Sequence, residues 1–315
     1  MKKVKLVFII LHYQTISMTK QCIAQLFKTF DMSEHFVIVV DNKSPNGSGK
    51  ELEKIYAKKF NIKVILSYEN LGFANGNNLG FDYAKANLDF DFLVIMNNDI
   101  LIQQKNFEQK VYAIYKDKNF DVLGPDIFNL KTNLHQNPLN LTPCTLDRLR
   151  ILKNEIENKL KHIYFYMFYT SLIKKIKHIK PQSKYDFKKE FLNCVLHGSC
   201  LIYSKKFVTK RKYAFYPKTF MFYEEEILFY ECNKENFKTF YSPDIQVLHF
   251  ENVTTDSLFK NIIRRKKWYY TEILKSLNVF IKYIGGGTKK QKEDSKNNFI
   301  FTKTIFFKCT PLFQP

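Results

Sequence analysis

Several clusters of polar side chains in this 315-residue chain combine types that could do chemistry. In VIMNNDILI (94–102) one carboxylate, Asp99, follows two amides, Asn97 and Asn98, inside an otherwise apolar run. An ionised carboxylate is costly to bury unless it is paired, hydrogen-bonded or metal-bound, so Asp99 either marks a turn or faces something bound. In FMFYEEEILF (220–229) three adjacent carboxylates, Glu224, Glu225 and Glu226, stand among apolar residues of a chain whose formal charge is +20. Successive helical side chains point about 100° apart, so at most one or two of these can share a cleft. A carboxylate there suits proton abstraction, although an acidic cluster at a helix N-terminus is also favoured by the macrodipole alone. VVDNKSPNGS (39–48) places Asp41, Asn42 and Ser44 after a β-branched run, as an Asx-turn or as ligand-facing groups. In NLGFANGNNLG (70–80) Gly72, Gly76 and Gly80 recur every four residues, which is neither GxGxxG nor a P-loop. Amides at a helix start favour phosphate, and a loop with glycine caps explains the same pattern. Of seven histidines, His249 ends the apolar run IQVLHF, while His12 and His197 read as structural.

These residues need elements to position them. VKLVFIIL (4–11), FVIVV (36–40), VIL (64–66) and FLVIM (92–96) are apolar throughout and read as buried strands. Helical spacing intervenes at about 17–30, at 52–60 and at 79–86. Strands of this kind separated by helices imply a mostly parallel central sheet flanked by helices. Ligands of such sheets bind at the carboxyl ends of the strands, where DN (41–42) and NND (97–99) fall. Residues 145 to 180 look helical, amphipathic and rich in Tyr, Phe and Lys, and shorter strand-like runs (CVLHGSCLIYS, KTFYSP, IQVLHF) follow from 191 to 249. After about Ser257 comes a basic helix, then IGGGTKKQKEDSKNN (284–298), which reads as a flexible charged tail, and an unassigned apolar FIFTKTIFF.

Apolar residues make up 45% of the chain, enough for a folded core. Six cysteines without CxxC or framework spacing read as reduced thiols of a cytosolic protein. The lysines and short apolar run of MKKVKLVFIILHYQT read as a first strand, not a leader. No run approaches the roughly 18–20 apolar residues of a membrane helix. The charge fits nucleic acid, anionic lipid or a polyanionic substrate, and about a dozen Lys and Arg lie between Arg148 and Lys189.

In order, VVDNKSPNGS, YENLGFANGNNLG, VIMNNDILI, LHGSCLIYSKKF, FMFYEEEILF and VLHF make residues 4–270 resemble the family 2 inverting glycosyltransferases, in the bacterial rhamnosyltransferase-like branch. The resemblance implies an α/β fold of the GT-A type and a nucleotide-sugar donor. It implies that Asp41 accepts a hydrogen bond from a pyrimidine ring, with Asn42 and Ser44 beside it. By the same resemblance Asn70, Gly72, Asn75 and Asn78 lie against the nucleotide-sugar, and Asn97 hydrogen-bonds the ribose. The family motif Asp-x-Asp reads Asn97-Asn98-Asp99 here, so only its last carboxylate survives. Asp99, with His249 as the late histidine, is then the ligand set for Mg²⁺ or Mn²⁺, a hard cation offsetting diphosphate charge. The Glu-Asp pattern falls on Glu224-Glu225, which makes Glu225 the base and Glu224 an acceptor-positioning group, with Glu226 open as an alternative base.

A basic nucleic-acid binder would use the Tyr, Phe and Lys of 159–189, but it leaves Asp41, Asp99 and Glu224–Glu226 unexplained; no nucleic-acid partner is expected. A nucleotidyltransferase would need a glycine-rich basic loop after the first strand, where HYQTISMTK stands. KHIYFYMFYTSLIKKIKHIK (161–180) and IIRRKKWYY (262–270) resemble interfacial segments, and core or domain-contact residues are the other reading. The expectation is therefore a GT-A catalytic domain over 1–255. Residues 1–125 form its nucleotide-sugar half and 126–255 its acceptor half, with a basic-aromatic insertion near 145–190. A basic helix and tail occupy 256–315. Its activity would be metal-dependent transfer of one sugar from UDP or dTDP to a glycan or lipid-linked glycan in bacterial surface polysaccharide assembly. The expected place is the cytoplasm, with peripheral contact at the inner face of the plasma membrane.

Overall fold

The apolar run near the start of the chain forms β1 (Leu6–His12), at the middle of the parallel part of the sheet. It is seen in a computed structural model that describes residues 3–176, 183–250 and 261–291. Its side chains alternate between two buried faces: Leu6, Phe8 and Ile10 join one apolar cluster, Val7 and Ile9 the other. Burial on both faces is why the run shows no polar alternation.

The chain continues through α1 (Ile16–Thr29), β2 (Phe36–Asp41), α2 (Ser48–Tyr56), β3 (Ile62–Leu66), α3 (Gly72–Asn87), β4 (Phe92–Asn97) and β5 (Ile100–Leu101). Strands β3, β2, β1 and β4 are parallel neighbours in that order. Then follow α4 (Phe107–Lys118), β6 (Val122–Asn129), β7 (Leu134–His135), α5 (Leu146–Lys161), α6 (Ile163–Ile176), β8 (Phe191–Leu192), β9 (Cys200–Ser204), α7 (Lys205–Lys210), α8 (Glu224–Lys234), β10 (Thr239–His249) and α9 (Ile262–Gln291). Among the described residues the sheet has ten strands, its main path running β3-β2-β1-β4-β9-β6-β10-β5. Strand β9 is antiparallel to both β4 and β6, while β6 and β10 are parallel.

Helices α1, α2 and α4 cover one face with Leu26, Leu52 and Val111. Helices α3, α7 and α8 cover the other with Phe81, Phe207 and Leu228. A third apolar cluster joins α5, α6 and α9 to Ile227 of α8. The C-terminal helix thus shares a core with the basic-aromatic insertion and with the helix that begins on the three glutamates.

Four local expectations change. Helix α3 starts at Gly72, not near 79, so the glycine segment is helical. A Cβ on Gly80 would lie 2.7 Å from Ile9 and 3.1 Å from Val40, and one on Gly76 would lie 2.6 Å from Leu11. Those two glycines let the helix sit close on β1 and β2. The runs KTFYSP and IQVLHF are one strand, β10, whose register shifts between Ser242 and Gln246 around Pro243. Helix α4 and strand β6 add two elements to those expected between 97 and 145. Finally, α9 runs through Gly285 and Gly286 to Gln291, where composition suggests a tail. Its preceding turns are anchored by Leu277 and Phe280, enough to carry glycines that each cost about 1 kcal/mol in a helix. The apolar FIFTKTIFF and the 255/256 boundary lie outside the described residues.

Candidate active site

The three glutamates begin α8 and diverge, as a helical spacing requires. Glu224 is 2% exposed and points inward. Burial, then the charge of Glu225, pushes its carboxyl well above the usual carboxylate range. Glu225 is half-buried, and its Oε1 accepts a hydrogen bond from the Gly198 amide at 3.1 Å. A Cβ on residue 198 would stand 2.7 Å from that oxygen, so a larger residue there would push the Glu225 carboxyl aside. Burial raises this carboxyl too. Glu226 turns the other way, to accept from the Asn140 amide, whose oxygen in turn accepts from Lys184. Its carboxyl is pushed up to about 7, chiefly by burial.

The turn that aims these side chains is strained. Phe222 and Tyr223 both adopt positive φ, 74° and 67°, a conformation costing roughly 1–2 kcal/mol per non-glycine residue. Packing from α9 holds it: Phe222 lies edge-on to Trp268 and Tyr269, and Ser276 donates to the Met221 carbonyl at 2.7 Å.

Loop 197–199, which the sequence places inside the strand-like run CVLHGSCLIYS, precedes β9 and ties this turn to the sheet edge. Beyond the Gly198 contact, the Ser199 carbonyl accepts from the Asn97 amide at 2.8 Å. The His197 ring stands edge-on to His249, with centroids 6.0 Å apart. His197 accepts from the Ser199 amide through Nδ1, and burial holds its pKa down at about 3, so it is neutral.

Asp99 and His249 meet here, although 150 positions separate them. Strand β5 pairs with β10, setting Ile100 opposite His249. His249 Nε2 lies 3.3 Å from Asp99 Oδ1, an otherwise unpartnered buried oxygen. On its other side His249 Nδ1 hydrogen-bonds Gln136 Oε1 at 2.7 Å. With Nδ1 donating to that carboxamide oxygen, Nε2 turns its lone pair toward the carboxylate, and the two acceptors suit a cation between them. The one-oxygen, one-nitrogen donor set fits a divalent ion that takes its remaining ligands elsewhere. Among the described residues no group of three or more His, Cys, Asp or Glu gathers for a metal.

The carboxyl ends of β2, β1 and β4 are joined by a buried relay. His12 Nε2 lies 2.8 Å from Ser48 Oγ and 3.9 Å from Asp41 Oδ1, and its Nδ1 bonds Thr19, which accepts from Asn98. His12 is thus a core residue with both ring nitrogens hydrogen-bonded. The Asp41 carboxylate accepts from the Ser44 amide and rests on Gly49 in the first turn of α2, where a Cβ would be 2.1 Å away.

Several expected nucleotide contacts are engaged within the chain. Asn42 uses both ends of its amide on residues 71 and 72. Asn78 accepts from the amides of Ala214 and Phe215 and donates to the Phe215 carbonyl. Asn75 donates to the Pro217 carbonyl, Asn70 accepts from the Gly72 amide, and Ser44 Oγ accepts from Gln14. Gly72, at φ +73°, makes its close approach to the Phe220 carbonyl, 2.1 Å from where a Cβ would be. Gly72, Asn75 and Asn78 dock the 70–80 segment onto the 214–220 loop, because short amides and a left-handed glycine suit backbone bridging. Asn97 is half-buried at the open end of β4.

The glutamates make stability depend on pH. Protonated Glu226 is favoured in the fold, so its contribution is full below the usual carboxylate pKa of 4.5 and is lost as pH rises through about 7. Glu226→Gln keeps an acceptor for Asn140 without the charge. Its melting temperature, measured from pH 4.5 to 8.5, should fall less steeply than that of the parent chain; parallel curves would show that Glu226 is solvated.

A family model described as Glycosyl transferase family 2 matches residues 7–211, well over half of the chain. The low-salt glycan biosynthesis hexosyltransferase Agl10 of Haloferax volcanii is 24% identical over 248 residues, 78% of this chain and 67% of its own length. The mannosyltransferase PcManGT of Pyrobaculum calidifontis, solved with GDP-Man and Mn²⁺, aligns over 94% of this chain and 77% of its own, at 9% identity and TM-score 0.50. GalNAc-T7, solved with UDP, GalNAc and Mn²⁺, aligns over 78% of this chain at 13% identity and TM-score 0.51, and the chain spans 44% of its length. The mixed sheet flanked by helices matches the GT-A fold of these glycosyltransferases.

Proposed function

The chain belongs to glycosyl transferase family 2, and from that premise we propose that it transfers one hexosyl or deoxyhexosyl unit, with inversion, from a UDP- or dTDP-sugar to a hydroxyl of a glycan or lipid-linked glycan. The observation that carries this reading is the convergence on loop 197–199. The Glu225 carboxylate, Asn97 and the Asp99–His249 pair all border it.

Single displacement needs a base on the acceptor side and charge compensation on the leaving-group side. Glu225 takes the proton of the acceptor hydroxyl as that oxygen attacks the anomeric carbon, while the bond to the diphosphate oxygen breaks. Burial raises its pKa, which makes it a better proton acceptor than an exposed carboxylate once it is ionised. Glu224 holds the acceptor side of the turn. Asp99 and His249 would hold Mg²⁺ or Mn²⁺, which offsets the charge developing on the diphosphate when bound. Asp41 reads the pyrimidine edge, and Asn97 meets the ribose. Asn42, Ser44, Asn70, Gly72, Asn75 and Asn78 act through the loops they hold. A role in assembling surface polysaccharide at the inner face of a membrane follows from a lipid-linked acceptor.

Thermal melting with UDP, dTDP, GDP and CMP, each with and without Mn²⁺ or Mg²⁺, tests the donor side. One pyrimidine nucleoside diphosphate with a divalent ion should stabilise the chain by about 2.7 kcal/mol at a hundred times Kd. A shift with single-stranded DNA or RNA and none with any nucleotide would sink the transferase reading.

A further inference from the structure

We propose that the outward face of α6 seats the protein on an anionic lipid surface. Four aromatic rings stand out from this helix: Tyr164 is 73% exposed, Phe165 71%, Phe168 65% and Tyr169 54%. Their spacing, i, i+1, i+4 and i+5, puts them on one stripe, while Ile163 is buried in the core and Tyr166 and Met167 pack against it. Other exposed aromatics, such as Phe60 and Tyr68, are not grouped on a helical stripe in this way. A clustered apolar stripe marks a surface that is covered in use.

Charge selects what covers it. Between Glu157 and Asp186 the sequence has seven lysines and neither Asp nor Glu. Lys161 is exposed one turn before the stripe, and Lys159 lies over the rings of Tyr166 and Tyr270. A second copy of the chain would bring like charges together, whereas anionic headgroups suit a lysine-rich sequence without acids around the rings. Among the described residues no helix is long and apolar enough to cross a membrane, so this seat lies on the surface.

The seat is also joined to the site. Ile163 of α6 and Ile227, one residue past Glu226, belong to the same apolar cluster. A lipid-linked acceptor at the headgroup level would therefore approach the turn carrying Glu224–Glu226. That use rests on the proposed transfer; the binding itself does not.

The test is co-sedimentation of the full chain with phosphatidylcholine vesicles with and without phosphatidylglycerol. The chain should pellet with the anionic vesicles only. Tyr164→Ser/Phe165→Ser/Phe168→Ser together should lower vesicle affinity roughly tenfold or more, with an unchanged melting temperature and unchanged nucleotide stabilisation. Phe165→Trp should show a blue-shifted emission on vesicle addition. A chain that stays in the supernatant, or a triple variant that binds as the parent does, overturns the proposal. So does a concentration-dependent dimer that the triple variant abolishes, which would make a second copy the occupant. Vesicle binding without any nucleotide response would leave this seat standing and remove the transferase reading; the reverse result would do the opposite.

Discussion

Glu225→Gln is expected to lower kcat by about 10²–10⁴, the range that a positioned general base contributes, and to leave nucleotide stabilisation unchanged. The geometry separates this residue from its neighbours. Glu224 is buried, and Glu226 is bonded to Asn140. Glu225 alone of the three bonds the Gly198 amide, on the loop that borders Asn97 and His249. Gln is nearly isosteric and keeps an acceptor for that amide, so lost turnover reports lost basicity, not a displaced loop. The pH profile gives a second readout. Burial raises the Glu225 carboxyl, so kcat/KM in the parent chain should climb with pH through an apparent pKa above the ordinary carboxylate range. That rise should be missing from the residual rate of Glu225→Gln. Were Glu226→Gln inactive and Glu225→Gln within threefold of the parent, the base assignment would move one position along the helix.

Asp99→Ala is expected to abolish the divalent-ion-dependent part of nucleotide stabilisation, whose total in the parent chain is about 2.7 kcal/mol at a hundred times Kd. The carboxylate is buried, and Oδ1 has His249 Nε2 as its close polar neighbour. With His249 Nδ1 directed at Gln136, the facing lone pairs suit a cation between them. Removing the carboxylate leaves one acceptor there in the absence of metal, so the metal-free melting temperature should hold or rise even as the Mn²⁺ response disappears. A variant that melts lower without metal, yet keeps its full Mn²⁺ increment with nucleotide, would identify Asp99–His249 as a structural ion pair. In that case Gln136→Leu should leave the increment intact, whereas a tautomer-fixing role predicts a 10–100-fold loss of metal affinity.

The five described cysteines are free thiols, and Cys22, Cys194, Cys200 and Cys232 among them are buried. They act as small apolar residues of the sheet and helices, which agrees with their irregular spacing in the sequence.

The amino-acid sequence by itself determined the parallel half of the fold. Continuous apolar runs separated by helical spacing define β1 to β4, because a strand covered on both faces has no polar side to show. From that follows the edge on which Asp41 and Asp99 had to lie. Sequence also marked the carboxylates, since charge within apolar context stands out in one dimension. Tertiary structure decided what those residues face. Loop 197–199, Gln136 and Asn140 are remote in sequence from Glu225, His249 and Glu226, and only the pairing of β5 with β10 and the insertion of β9 between β4 and β6 bring the parts together. It also decided what the glycines and asparagines do. A missing Cβ or a short amide is equally suited to a phosphate or to neighbouring backbone, and Gly80 against Ile9, like Asn78 against Ala214 and Phe215, takes the backbone and core option. The choice among Glu224, Glu225 and Glu226 was likewise three-dimensional. Helical pitch guarantees that they diverge, but the direction each one takes is set by the strained turn at Phe222–Tyr223 and by the α9 side chains that hold it.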